Sequence, residues 1–279
     1  MMSVYNEIKK AMEESYDIFD MIAQKYADAS NVIISSNYRW VGVLANYLLD
    51  SFSPICSRAV ELDRLELYAP ECIGKSTLAI ITADKDDVSG VVKKLMAKNC
   101  RILVISNKPH KFRSYKKLET FFAKKTENPD FALSSLLNLF AIFLIKAKGL
   151  PIESLMKLQF IELPEYMKIL MEADMSGIKK SSVIYADRLR YDLLIGFDGS
   201  LKAKLIEEYK GEKGVWIAEP RWSYVPEAVK SHYSRIDEDE ALLINPFKFV
   251  EPKGAGAKND VLLSPLYLLM VRLLLKSSA

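Results

Sequence analysis

Apolar residues near the start of the chain recur at helical spacing. Ile8, Met12, Tyr16, Phe19, Ile22 and Tyr26 share one face of a helix expected over residues 4–29. The pattern then changes. NVIISSN (31–37) is a short continuous apolar run that closes in small polar residues, and it reads as a buried strand. WVGVLANYLLDSF (40–52) reads as a helix, 54–60 as a second strand and 61–69 as a short helix. STLAIITADKDD (76–87) is a strand followed by a charged loop, 88–98 a helix, and CRILVIS (100–106) another buried strand, with 118–122 a further strand. Strands that are continuous apolar runs and alternate with helices belong to a parallel sheet covered on both faces.

FALSSLLNLFAIFLI (131–145) is the most apolar stretch. It falls short of the roughly 20 residues that span a bilayer and carries Ser134, Ser135 and Asn138, so a buried helix is expected. Gly149, Leu150 and Pro151 end it. Residues 151–180 read as helical, with Pro164 as a helix start, and the linker between two halves is placed there. The second half repeats the theme. YDLLIGFDGS (191–200) is strand then turn, LKAKLIEEYK (201–210) a helix, VWIAEP (215–220) a strand, 226–233 a helix and ALLINP (241–246) a strand. A Gly-rich loop (252–260) precedes a last apolar helix over 262–276, a run interrupted by Pro265 and Arg272. The shared order is a weak internal duplication, and duplicated α/β halves often share a site. The expected domains are 1–150 and 151–279.

Composition narrows the function classes. The 279 residues are 50% hydrophobic and 27% charged, which is globular rather than disordered. Lys plus Arg is 39 against Asp plus Glu 36, a net charge of +3, so nothing calls for a nucleic-acid partner. Two histidines and three cysteines leave little for a zinc cluster or a disulfide framework, and no metal or cofactor is expected. Three cysteines of this kind fit a reducing cytosol, the N-terminal segment lacks an apolar leader, and a cytoplasmic chain without membrane partners is expected. Neither GxxxxGK[ST], GxGxxG nor GxSxG occurs. Trp216, Trp222 and Tyr224 read as packing aromatics, with a pocket lining as the alternative, and the basic run 108–117 as a solvated loop, with attraction of phosphates as the alternative.

Four segments in order carry a resemblance: NPDFALSSLLNLFAIFLI, LPEYMKIL (163–170), DLLIGFDGS and SPLYLLMVRLLL (264–275). Together they resemble the double-SIS (sugar isomerase) family, most of all the isomerase half of glucosamine-6-phosphate synthase. The resemblance implies two SIS-type, flavodoxin-like, three-layer αβα units with parallel sheets. It further implies a sugar-phosphate ligand, metal-independent aldose–ketose chemistry or a related deamination, and a homodimer with its site at a subunit or domain junction.

Such a site holds a phosphate dianion with backbone N–H groups at a helix N-terminus and with hydroxyls. Where the family has a Ser/Thr-rich phosphate loop, this chain reads Thr82-Ala83-Asp84-Lys85-Asp86-Asp87. Thr82 keeps a hydroxyl and Lys85 a cation, but three aspartates oppose an anion; as helix caps they would need no ligand. Ser35, Ser36 and Asn37 stand at the family's first loop, as sugar or phosphate contacts or as an ordinary cap, with Arg39 beside them. Proton transfer between C1 and C2 needs a carboxylate base, with a His assisting ring opening. The family's base corresponds here to Glu208, with Glu207 and Glu212 as alternatives. Glu227 matches an acidic ligand residue. His232 lies two positions past the family's His, where Lys230 stands, and a surface His is the plain alternative. The family's tail beyond the last helix has no counterpart after Lys276, and no N-terminal Cys follows Met1, so glutamine-dependent amide transfer is not expected. The degenerate loop leaves a second reading open: a noncatalytic phosphosugar-binding or regulatory protein.

Overall fold

A computed structural model of the chain describes residues 3–67, 73–84, 88–107, 118–123, 126, 128–174, 183–185, 216–218, 250 and 262–276. The chain divides into two compact units, Met1–Glu165 and Tyr166–Ala279. In the first, five strands form a wholly parallel sheet: β1 (Asn31–Ser36), β2 (Cys56–Glu61), β3 (Thr77–Ala83), β4 (Arg101–Ser106) and β5 (Leu118–Phe122), in the order β2-β1-β3-β4-β5. β1, β3 and β4 are interior strands and buried almost end to end, which is why they appear as unbroken apolar runs. β2, at an edge, alternates partly buried with exposed positions.

Period-two alternation sorts the strand residues into two faces. Ile33, Ala79, Ile81, Ala83, Ile102 and Val104 form one core with Val88, Val91, Val92 and Leu95, and with Leu65. Val91, Val92 and Leu95 come from the helix over Ser89–Ala97 (α4), Val88 from the position just before it, and Leu65 from the helix over Leu62–Leu67 (α3). The opposite face carries α1 (Ser3–Lys25), α2 (Arg39–Phe52) and α5 (Pro129–Ala147), with α5 packed against both others. The unit is therefore a three-layer αβα sandwich. Phe19 of α1 meets Phe121 at 4.6 Å and Phe140 at 5.6 Å between ring centroids, and Trp40 of α2 meets Phe131 at 5.5 Å. Buried aromatics therefore lock α5 between its neighbours. By length and composition α5 could cross a membrane, yet 83% of its most apolar window is buried inside the protein.

Two helices stop in the same way. At the end of α5, Gly149 (φ +77°) donates its N–H to Lys146 O at 2.8 Å and Leu150 donates to Ile145 O at 3.4 Å. At the end of α4, Asn99 (φ +60°) donates to Met96 O and Cys100 to Leu95 O. Both are Schellman closures that satisfy the last carbonyls and aim the chain into its next segment.

After α6 (Glu153–Lys157) comes one π-helical stretch, Leu158–Glu162, and then α7 (Leu163–Glu172). Pro164 thus lies inside a continuous helical run instead of starting a helix. It has no N–H to donate and its ring crowds the carbonyl four residues back. The helix widens just before it, and Leu163 N–H reaches Leu158 O, five residues back. Within the second unit, β6 (Val183–Tyr185) pairs in parallel with β7 (Trp216–Ala218), and α8 covers Ser264–Lys276. Pro265 sits in the first turn of α8, where a missing N–H costs nothing, so it initiates this helix and does not interrupt it. The elements expected over 191–210, 226–233 and 241–246 lie outside the described residues.

Candidate functional site

The strand order sets where a ligand can sit. β1 lies between β2 and β3, so the connections leaving β1 and β3 run to opposite faces of the sheet. In an open α/β sheet the crevice outside the carboxyl ends of two such strands is the usual binding position. Polar residues gather at these tips. The register places Ser36 beside Thr82 and Ala83 beside Ser106. Asn37, Asp84 and Asn107 are each the first residue after their strand.

The hydrogen bonds tie these tips together. Asn37 N–H donates to Thr82 O at 3.3 Å, linking the ends of β1 and β3. Ser36 Oγ accepts the Tyr38 N–H at 3.1 Å, a local turn that leads into α2. From that turn the Tyr38 hydroxyl donates to Asp84 Oδ2 at 3.2 Å. The other carboxylate oxygen, Oδ1, accepts the side-chain amide of Asn107. Asp84 is 6% exposed, and both of these partners are neutral. Asp84 does not cap α4: the residue before that helix is Val88, which makes no side-chain cap bond. The N-terminus of α2 likewise starts at Tyr38 without a side-chain cap.

Among the residues singled out from sequence, Ser36, Asn37 and Thr82 meet at this edge. Ser35 is one residue out of phase with Ser36, so it faces the α3–α4 layer with Ile33 and Ile81. Ser35 and Thr82 are fully buried, and the hydroxyl of each lacks a hydrogen-bond partner among the described residues; so does Asn37 Oδ1. Lys85, Glu208, Glu227 and His232 lie outside the described residues, as do Glu207, Glu212, Lys230, Asp86 and Asp87. Tyr38 and Asn107 were missed, as was the part Asp84 plays as their shared acceptor. A signal existed: NVIISSN, ITAD and LVISN each end an apolar run in a polar residue, and parallel strands bring such ends to one edge. No group of three or more His, Cys, Asp or Glu side chains suited to a metal ion occurs among the described residues.

No family model matches the chain. No curated protein matches it by sequence. Solved structures do match in fold. A candidate phosphosugar isomerase from Silicibacter pomeroyi DSS-3 superposes with a TM-score of 0.61 at 11% identity, over 99% of this chain and 98% of that one. Another from Clostridium difficile 630 gives 0.61 at 13% identity, over 97% and 92%. Glucosamine-6-phosphate deaminase from Thermotoga maritima gives 0.55 at 14% identity, over 96% and 92%. The chain therefore has the SIS-type α/β fold of these proteins. This agrees with the resemblance carried by its own segments.

Proposed function

We propose that the protein handles a hexose 6-phosphate, of the fructose-6-phosphate or glucosamine-6-phosphate type, as an isomerase- or deaminase-like enzyme. The observation that carries this reading is the polar edge at the switch point, with Ser36, Asn37, Thr82 and Asp84 joined across the tips of β1 and β3 on a fold shared with phosphosugar isomerases. Ser36, Asn37 and Thr82 supply sugar contacts there, with Lys85 and Glu227 as further ligand residues, while Ser35, turned to the other face of the sheet, is not among them. Glu208 moves the proton between C1 and C2, and His232 assists ring opening. The protein works in the cytoplasm, without a metal, as a homodimer.

Proton exchange between C1 and C2, followed by NMR in deuterated water with each hexose 6-phosphate, tests this directly. Glu208→Gln and His232→Ala are each expected to slow the exchange about 100-fold or more, the usual worth of a positioned acid or base. Exchange that both variants leave intact removes these two residues from the mechanism. A second reading is favoured by Asp84. A buried carboxylate holds the donors of Tyr38 and Asn107 where an anion would need them. On that reading the protein binds a phosphosugar without turning it over, and binding without exchange in the same experiment identifies it.

A further inference from the structure

We propose that the outer stripe of α1 is where two copies of this chain meet, the two helices packing antiparallel about a twofold axis that passes between Ile18 and Met21. The inference rests on the proposed function for the homodimer alone, and the sugar chemistry does not enter it.

The helix carries two apolar stripes. The inner one, with Ile8, Phe19, Ile22 and Tyr26, is buried within the first unit. The outer one is not. Five large hydrophobic residues are exposed among the described residues, and three of them, Tyr16, Ile18 and Met21, lie on α1. Tyr16 sets its ring edge-on to Phe143 at 4.9 Å. Ile18 and Met21 are 42% and 67% exposed. Glu14, Ile18, Met21 and Lys25 follow one another at steps of four, three and four, and all four are exposed. At 3.6 residues per turn they fall within about 60° of the helix circumference. That is the spacing of a seam along which one helix packs on another. A further exposed residue, Ile161, stands on the π-helical stretch that touches α1.

The charges on the stripe select the occupant. Reversing α1 about the point midway between Ile18 and Met21 carries each of these onto the other, and Glu14 onto Lys25. Two copies packed in this way set each Ile18 against the partner's Met21 and each Glu14 against the partner's Lys25. One helix thus supplies an apolar centre and an ion pair on either side of it, the self-complementarity that an isologous interface requires. Lys25 pairs with Glu119 of its own chain yet remains 53% exposed, and an ammonium has three N–H donors to share between two carboxylates. An anionic lipid surface fits this stripe poorly, because exposed Glu13, Glu14 and Asp17 border it.

Sedimentation velocity of the full chain over a series of concentrations tests the interface, with circular dichroism to check that each variant is folded. The unaltered protein is expected to dimerise. M21E puts a carboxylate into the apolar centre twice per dimer and should weaken assembly about 100-fold or more. E14K sets two lysines opposite each other and K25E two glutamates, at both ends of the seam, so each alone should weaken it about tenfold or more. Mixed in equal amounts, E14K and K25E should dimerise again, since one copy of each restores both ion pairs. An effect of K25E confined to its own chain, through the lost bond to Glu119, would not be rescued by mixing. A dimer that all three variants leave intact overturns the inference and leaves the homodimer standing. So does a weakening that the mixture fails to reverse. A single-chain mass at every concentration overturns both. Should M21E fail to fold, E14K and K25E, alone and mixed, decide by themselves.

Discussion

Cys100 stands just before β4 with its side chain fully buried and its thiol directed to Thr77 O at 3.3 Å. Burial pushes its pKa up from 9.0 to about 11, and burial likewise raises the Tyr26 phenol well above its usual 10.0. Both groups are held protonated by the fold. The stability they contribute is complete below the unfolded thiol value near 9 and is lost as the pH climbs through the folded values. Urea unfolding should therefore show a fall on the order of 1–2 kcal/mol from Cys100 between pH 8.5 and 10.5, and Cys100→Ala should flatten that part of the profile. An unchanged slope in the variant would show that the thiol does not ionise with unfolding. Ser35 and Ser36 teach a related lesson. Side by side in sequence they look equivalent, but a strand turns successive side chains to opposite faces. One hydroxyl ends in the α3–α4 layer, and the other accepts the Tyr38 N–H at the carboxyl end of the sheet.

Most elements of the first unit were legible because their interiors are apolar at a clear period. β3, β4 and β5 fall within or on the expected runs, and α2 and α4 differ from theirs by a residue or so. α5 begins two residues early, since Pro129 is well suited to a first helical position. The π-helical stretch before Pro164 was not legible. Whether a helix ends, kinks or widens at a proline depends on what packs around it, and here Gln159 of that stretch accepts the Asn138 side-chain amide at 3.0 Å. The helix stop at Gly149 was legible, and it carries a prediction. A Cβ at Gly149 would meet nothing within 4 Å, so Gly149→Ala introduces backbone strain alone. It should lower stability by about 1 kcal/mol in chemical denaturation without changing the helical content measured by circular dichroism. A loss several times larger would mean that the closure organises more of the unit than its own turn.

At the scale of the whole molecule, the prediction concerns assembly. We expect a homodimer, and light scattering on the purified chain should return twice the 31.7 kDa chain mass. A mass of one chain at all concentrations would remove the subunit junction from the proposed site. The alternation of apolar runs and helical periods by itself determined an α/β chain with a covered parallel sheet, because burial on both faces leaves an unbroken apolar signature. The same runs, ending in Ser, Thr, Asn and Asp, named the edge where chemistry could gather. The strand order β2-β1-β3-β4-β5 was decided only by the tertiary structure, for each strand's hydrogen-bonding partner is distant in sequence and leaves no local mark. That order joins Asn37 to Thr82 across 45 residues, Tyr38 to Asp84 across 46 and Asn107 to Asp84 across 23. A charge that opposes phosphate when read along the chain becomes, in the fold, a buried acceptor held by two neutral donors.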